Sequence, residues 1–276
     1  MPLEMDRIGL WSEVKLKIIR EYMPAYSRLV TDHNLYHLYI DGFAGYGLHE
    51  SRVSGEIVPG SPLNALNTVP PFREYHFIEL NPARVEKLRT YAPDRSDVHV
   101  HEGDCNDVLL RLLPQARWDQ YRRALCLLDP YGIDLAWEVV AAAGSMKSVE
   151  IFVNFMVMDM NMNVLLHHPE RALPSQVERM NRFWGDESWR QAIYTRQGTL
   201  FGEDAQVKLA DANAKIAEAY RARLTEVAGF RFAPQPLPFL NDQGATIYYL
   251  FFASPNETGH NIVVDIFEKY RKLQGV

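Results

Sequence analysis

The stretch YHLYIDGFAGYG, residues 36–47, decides the fold. Five residues rich in apolar and β-favouring side chains, 36–40, end in a carboxylate, Asp41. A turn carrying Gly42, Gly45 and Gly47 follows. A continuous apolar run of this length, closed by a turn signal, is the pattern of a strand buried on both faces of a parallel sheet. Glycine permits a positive φ and lets main-chain N–H groups approach a ligand closely. The stretch therefore predicts a strand whose carboxyl end meets a ligand, with Asp41 placed to accept hydrogen bonds.

The flanking segments extend the same pattern. Residues 9–30 read as a helix with Leu10, Val14, Ile18, Tyr22 and Leu29 on one stripe and Lys15, Lys17, Arg20 and Glu21 off it. Trp11 and Tyr22 are assigned to packing. After Gly47 comes a polar loop, residues 48–60, which is either a lid or a surface insertion. Ser61, as N-cap, and Pro62 then start a helix. Further strands are expected at 74–80, 98–101, 123–128 and 149–157. Asn81-Pro82 opens a helix over 83–91, and Asp134 caps one over 135–143. Strands alternating with helices predict an α/β fold with a Rossmann-like, doubly wound, mostly parallel sheet.

The second half reads differently. Residues 169–197 interleave Arg171, Arg179, Arg182, Arg190 and Arg196 with Phe183, Trp184, Trp189 and Tyr194. Composition fits two short helices filling a satellite core better than a cap over a ligand. Residues 204–228 read as one long helix facing inward through Leu209, Ile216, Tyr220, Leu224 and Val227, and stopped by Gly229. Three prolines confine 230–240 to an edge strand or an extended segment. Residues 246–254 form a buried strand. A last helix, 261–273, turns Ile262, Val263, Ile266, Phe267, Tyr270 and Leu273 inward. The organisation is one Rossmann-like domain over 1–276, with a helical insertion or cap at 160–228 in the C-terminal half.

With 276 residues, 47% hydrophobic and 23% charged, the chain can bury a sizeable core. A net charge of -6 argues against a protein that coats nucleic acid without specificity. A nucleic-acid substrate would demand a locally basic face, drawn from Arg117, Arg122 and Arg123 or from the arginines beginning at Arg171. Only Cys105 and Cys126 are present, so neither a disulfide framework nor a thiolate metal site is indicated. The nine histidines, with His99 and His101 alternating along one strand, lack metal-ligand spacing, and no metal is expected. The N-terminus has no secretory pattern and no apolar run could span a bilayer, so no membrane association and a reducing, cytoplasmic setting are expected.

Four strand ends carry acids in chain order: Asp41, Glu79, Asp104 and Asp129. In an open parallel sheet the ligand lies across those ends. Contacts in turn to an amino-acid moiety, a ribose and an adenine match S-adenosylmethionine. The glycine turn (Phe43, Ala44, Gly45, Gly47) and Asp41 would approach the methionine part, Glu79 the ribose hydroxyls and Asp104 the adenine amine, with Cys105 lining the same pocket. A nicotinamide cofactor would require G-x-G-x-x-G running straight into a helix, but the third position is Glu50 and the helix is displaced. Asp129-Pro130-Tyr131 resembles the D/N-P-P-Y/F motif of amino-methyltransferases, in which the acid orients an exocyclic amine and the aromatic stacks on the base. This chain has one proline, and its aromatic comes one place earlier, before Gly132.

The motifs DGFAGYG (41–47), GSPL (60–63), FIELN (77–81), LDPYG (128–132), Asn154-Phe155 and FWG (183–185) together resemble the bacterial three-Cys-motif partner proteins, along nearly the whole chain. Those proteins are similar to class I S-adenosylmethionine-dependent methyltransferases and are named for a neighbouring radical-SAM-like protein with a three-cysteine motif. The resemblance implies S-adenosylmethionine as cofactor and Asp129, Pro130 and Tyr131 as the residues that position the acceptor. Gly132, Asn154 and Phe155 are the expected substrate contacts. It also implies the three-Cys-motif protein as a partner, with a DNA or RNA base or a nucleotide-derived molecule as substrate. A non-catalytic adaptor that keeps the fold for that partner is the competing expectation.

Overall fold

The structure, a computed structural model, describes residues 6–198 and 204–275. Seven strands build the central sheet: β1 (Tyr36–Asp41), β2 (Glu74–Glu79), β3 (Val98–Glu102), β4 (Arg122–Leu128), β5 (Val149–Phe155), β6 (Leu237–Leu240) and β7 (Thr246–Ala253). Their order across the sheet is β3-β2-β1-β4-β5-β7-β6. The first five are mutually parallel, and β7 runs antiparallel to both β5 and β6. β1 is central, with Tyr39 opposite Tyr75 on one side and Leu125 on the other. Parallel pairing brings the ends of β1, β2, β3 and β4 to one edge, where the chain turns at Gly42, Leu80, Gly103 and Asp129.

Among the described residues ten α-helices cover the two faces: α1 (Leu10–Asp32), α2 (Ser61–Leu66), α3 (Pro82–Arg89), α4 (Cys105–Leu112), α5 (Trp137–Ser145), α6 (Val157–Asn163), α7 (Pro174–Trp184), α8 (Trp189–Ile193), α9 (Ala212–Glu226) and α10 (Glu257–Gln274). Side chains alternate along each strand. Leu38, Ile40, Cys126, Ile151 and Val153 therefore join one core layer with α4, α5 and α7–α9, while Tyr39, Leu125, Leu127 and Phe152 join the other with α1, α2 and α10. Phe183, Trp184 and Trp189 are fully buried in the first of these layers, continuous with β4 and β5. They complete the main core rather than a satellite one. Among the described residues no helix is long and apolar enough to cross a membrane.

Several expectations are corrected. Residues 48–60 are not an irregular loop. They form a hairpin, Leu48–Ser51 with Ile57–Pro59, and Arg7–Ile8 adds a third strand parallel to the first. Ser51 Oγ accepts from the Val53 and Ser54 N–H groups and so builds the tight turn that makes the hairpin. Ser61 does not cap α2; Gly60 is the cap position, and no side chain caps that helix. Asp134 does not cap α5 but pairs with Arg179, and Asn106 Oδ1 accepts from the Ala136 N–H at the start of that helix. The segment 204–228 is not one helix. Asp204–Lys208 pairs antiparallel with Tyr194–Gly198, and α9 begins only at Ala212. Val227 and Leu273 are exposed, because both lie at helix ends beyond the cover of the sheet.

Two consequences of packing are measurable. At Gly144, in α5, an added Cβ would overlap the carbonyl oxygen of Ala228, which is backbone and cannot swing away. Gly144→Ala should cost about 2–3 kcal/mol of stability, read as a lower urea midpoint at unchanged m. Glu150, on β5, is buried among apolar groups, with Tyr22 Oη donating to one oxygen and Ser254 Oγ to the other at 2.9 Å. Burial raises its pKa from 4.5 to about 7. The folded chain thus holds a proton that the unfolded chain releases, so stability falls as pH rises through that window, by on the order of 3 kcal/mol. Glu150→Gln should match the wild type near pH 4.5 and exceed it at pH 8. Parallel unfolding curves at the two pH values would contradict this.

Candidate active site

The turn after β1 is held from both sides. Gly42 N–H donates to Leu127 O at 2.9 Å and Ala44 N–H to Ile78 O at 3.0 Å. Gly45 adopts φ +62, and its N–H donates to Glu79 Oε2 at 3.0 Å. The other oxygen of Glu79 accepts from Asn81 N–H at 2.8 Å. Glu79 is therefore fixed across the ends of β1 and β2. Asp41 sits beneath the turn, fully buried. It accepts from Phe43 N–H at 3.2 Å and from Tyr39 Oη at 3.3 Å. Burial pushes its pKa up to about 7, against these hydrogen bonds.

Two cavities open along the carboxyl edge. The larger, of about 800 Å³, is lined by Gly42, Phe43, Glu79, Asp104, Cys105 and Ile133 among others, with Arg179 and Arg182 of α7 at its side. The smaller, of about 300 Å³, is lined by Ala44, Gly45, Ser61, Asp129, Pro130 and Asn154, with Trp11 and Lys15 of α1, His49 of the hairpin and Tyr248 of β7. Phe43 and Tyr131 line both, so the two spaces meet there. Asp104 caps α4 through Oδ1, accepting from Asn106 and Asp107 N–H, and stands exposed at the rim. Burial and the carboxylates of Asp104 and Asp134 push the Cys105 thiol up to about 12, so it stays protonated.

Asp129 carries the strongest charge contact of the smaller cavity. Its Oδ1 lies 2.5 Å from Lys15 Nζ, and the two side chains are 24% and 8% exposed. Lys15 was expected off the apolar stripe of its helix; α1 instead carries it inward. Tyr131 is 74% exposed at the rim, where its hydroxyl donates to Asp6 at 3.3 Å, and Asp6 pairs with Arg84 at 3.0 Å. Asn154 is 4% exposed. Its amide donates to Pro130 O at 3.4 Å, and its Oδ1 has no partner among the described residues.

Four expected site residues line neither cavity. Asp41 supports the turn from below. At Gly47 the backbone has φ +75 and a side chain would press on Tyr91, and at Gly132 a side chain would meet the Arg179–Asp159 pair, so both glycines answer to backbone conformation and neighbours rather than to cavity space. Phe155 is fully buried against Phe183, Tyr220 and Phe251 and cannot reach a substrate. Arg117, Arg122 and Arg123 lie before or at the start of β4, at the end of the sheet opposite Asp129. There Arg117 pairs with Asp119, Arg122 with Glu74, and Arg123 stacks on Trp118. They form no basic face for this site. The side chain of Arg196 lies outside the described residues. His76, His99 and His101 stack near Glu74, away from the site, and among the described residues no cluster of His, Cys, Asp and Glu is arranged to hold a metal.

No family model matches the sequence, and no curated protein matches it. Among solved structures, a Legionella pneumophila protein of the DUF519 family superposes with a TM-score of 0.55, at 13% identity, over 95% of this chain and 92% of that one. A SAM-dependent methyltransferase from Agrobacterium tumefaciens gives 0.40 at 8% identity, covering 87% and 61% of the two chains. One from Mesorhizobium loti gives 0.36 at 10%, covering 79% and 90%. The protein has a mixed α/β fold with a large, mostly parallel central sheet and flanking helices, and it shares that fold with the Legionella protein.

Proposed function

We propose that the chain is an S-adenosylmethionine-dependent methyltransferase acting on the amine of a nucleobase or of a nucleotide-derived molecule. The observation that carries this reading is the pair of cavities meeting at Phe43 and Tyr131, one presenting Glu79 and the other Asp129. The donor set fits the cofactor. Glu79 is anchored by two main-chain N–H groups and keeps acceptor capacity for ribose hydroxyls. Asp104 and Cys105 border the adenine end, and the space beside Gly45, open for at least 4 Å around a notional Cβ, admits the amino-acid end. The bound cofactor would supply an electrophilic methyl group. The protein would contribute position: Asp129 and the main chain at Pro130 accept hydrogen bonds from the acceptor amine, and Tyr131 offers a ring face at the rim.

The arginines favour a nucleotide-sized substrate over a long nucleic acid. Of the three arginines that line the larger cavity among the described residues, Arg84 and Arg179 are already paired with Asp6, Asp134 and Asp159, which leaves Arg182, enough for a single phosphate and not for a run of them. The competing reading, an adaptor serving a three-Cys-motif protein, is favoured by one observation: Asp129 is neutralised by Lys15. Calorimetric titration separates the readings in stages. Micromolar binding of S-adenosylmethionine, with none of NAD, is the expected result, followed by transfer of labelled methyl groups to nucleosides, nucleotides or oligonucleotides. Binding of NAD in preference would overturn the cofactor assignment. Cofactor binding without transfer to any acceptor, together with capture of the partner, would establish the adaptor.

A further inference from the structure

Lys15 is the one cation that α1 places in the smaller cavity. An ammonium has three N–H donors. Among the described residues the only hydrogen-bond partner of Lys15 Nζ is Asp129 Oδ1, and the ring of Tyr248, 5.3 Å away, covers another side without accepting a strong bond. Spare donors therefore remain on a buried charge, in a cavity that also contains Ala44, Gly45 and Ser61. An ammonium at the wall of a cavity can give charge-assisted hydrogen bonds to an anion that enters it. The anion it holds in the structure is the carboxylate that an acceptor amine needs. A carboxylate neutralised by a buried ammonium is a poorer acceptor than a free one.

We infer that Lys15 serves two anions in turn: Asp129, as seen in the structure, and the α-carboxylate of the cofactor's amino-acid moiety, so that cofactor binding frees Asp129 for the acceptor amine. This rests on the methyltransferase reading above and adds an order to it, with cofactor before acceptor. Lys15 is then a binding and positioning residue. Its flexible four-carbon stem lets the ammonium move while the rest of the side chain stays packed in α1.

The test uses a ligand that differs only at the group in question. S-Adenosylmethionine and its decarboxylated form are titrated calorimetrically into wild-type protein and into Lys15→Met, whose side chain keeps the unbranched shape. The wild type should prefer the carboxylated ligand by roughly tenfold or more, and Lys15→Met should shrink that preference to about twofold or less. Asp129→Asn removes the competing anion and keeps Lys15. It should bind S-adenosylmethionine a few-fold more tightly, with no gain for the decarboxylated ligand. If Lys15→Met does not fold, the wild-type comparison and Asp129→Asn still decide. Equal binding of both ligands by the wild type, a preference that survives in Lys15→Met, or weaker binding by Asp129→Asn would overturn the role of Lys15 and leave the methyltransferase reading standing. Binding of neither ligand by the wild type would overturn both.

Discussion

Replacing Gly45 by valine should abolish cofactor binding, with affinity for S-adenosylmethionine falling by at least about 100-fold. Two effects act together. The φ of +62 is one that a β-branched residue rarely adopts, which disturbs the N–H that fixes Glu79 at 3.0 Å. The side chain would also stand in the space that the ligand needs, since no heavy atom lies within 4 Å of the Cβ position and the cavity measures only about 300 Å³. Because that space is open, the fold should survive, with a loss of about 1–2 kcal/mol for the backbone alone. Gly47→Ala provides the contrast. Its backbone has φ +75 and its Cβ would come within 2.8 Å of Tyr91, yet it lines neither site cavity, so stability should fall while affinity is kept. Calorimetry and thermal melts on the two variants separate ligand space from packing. A Gly45→Val protein that binds the cofactor like the wild type would sink the pocket assignment.

That contrast marks how far the sequence could be read. The strands, the acids at their ends and the edge position of the proline-rich segment were legible, because buried parallel strands are short apolar runs with sharp ends. The glycines were legible only as a group. Gly45 borders the ligand space, whereas Gly47 answers to its φ of +75 and to Tyr91, and Gly132 faces the Arg179–Asp159 pair, neighbours that only the tertiary structure brings up. Phe155 follows Asn154 at the end of β5, but alternation sends it into the core while Asn154 faces the cavity. Lys15 was hidden by its own chemistry. A lysine among Val14, Leu16 and Ile18 reads as a solvated residue, and the partner that permits its burial lies 114 positions away. The hairpin beginning at Leu48 was missed because its strands are short and polar and its third strand comes from residues 7–8.

Asp129→Ala should eliminate methyl transfer, by a factor of about 1,000 or more if positioning of the amine supplies the usual share of such catalysis. Cofactor affinity should not fall, and two features of the structure make that combination diagnostic. Asp129 is at the end of β4, outside the hydrogen bonds that hold the glycine turn and Glu79, so its removal leaves those cofactor contacts in place. It is also the sole hydrogen-bond partner of Lys15 among the described residues, so its removal leaves a buried ammonium uncompensated. For a pair still partly open to solvent, the variant should lose about 1–3 kcal/mol. A bound carboxylate can restore that loss. S-Adenosylmethionine should therefore raise the melting temperature of Asp129→Ala by more than it raises that of the wild type, even though the variant transfers nothing. Equal loss of transfer and affinity would instead make Asp129 a cofactor ligand or a residue needed for folding. A larger thermal shift without transfer would separate the two duties that the cavity combines: holding the cofactor's charged end through Lys15, and presenting the carboxylate that the acceptor amine requires.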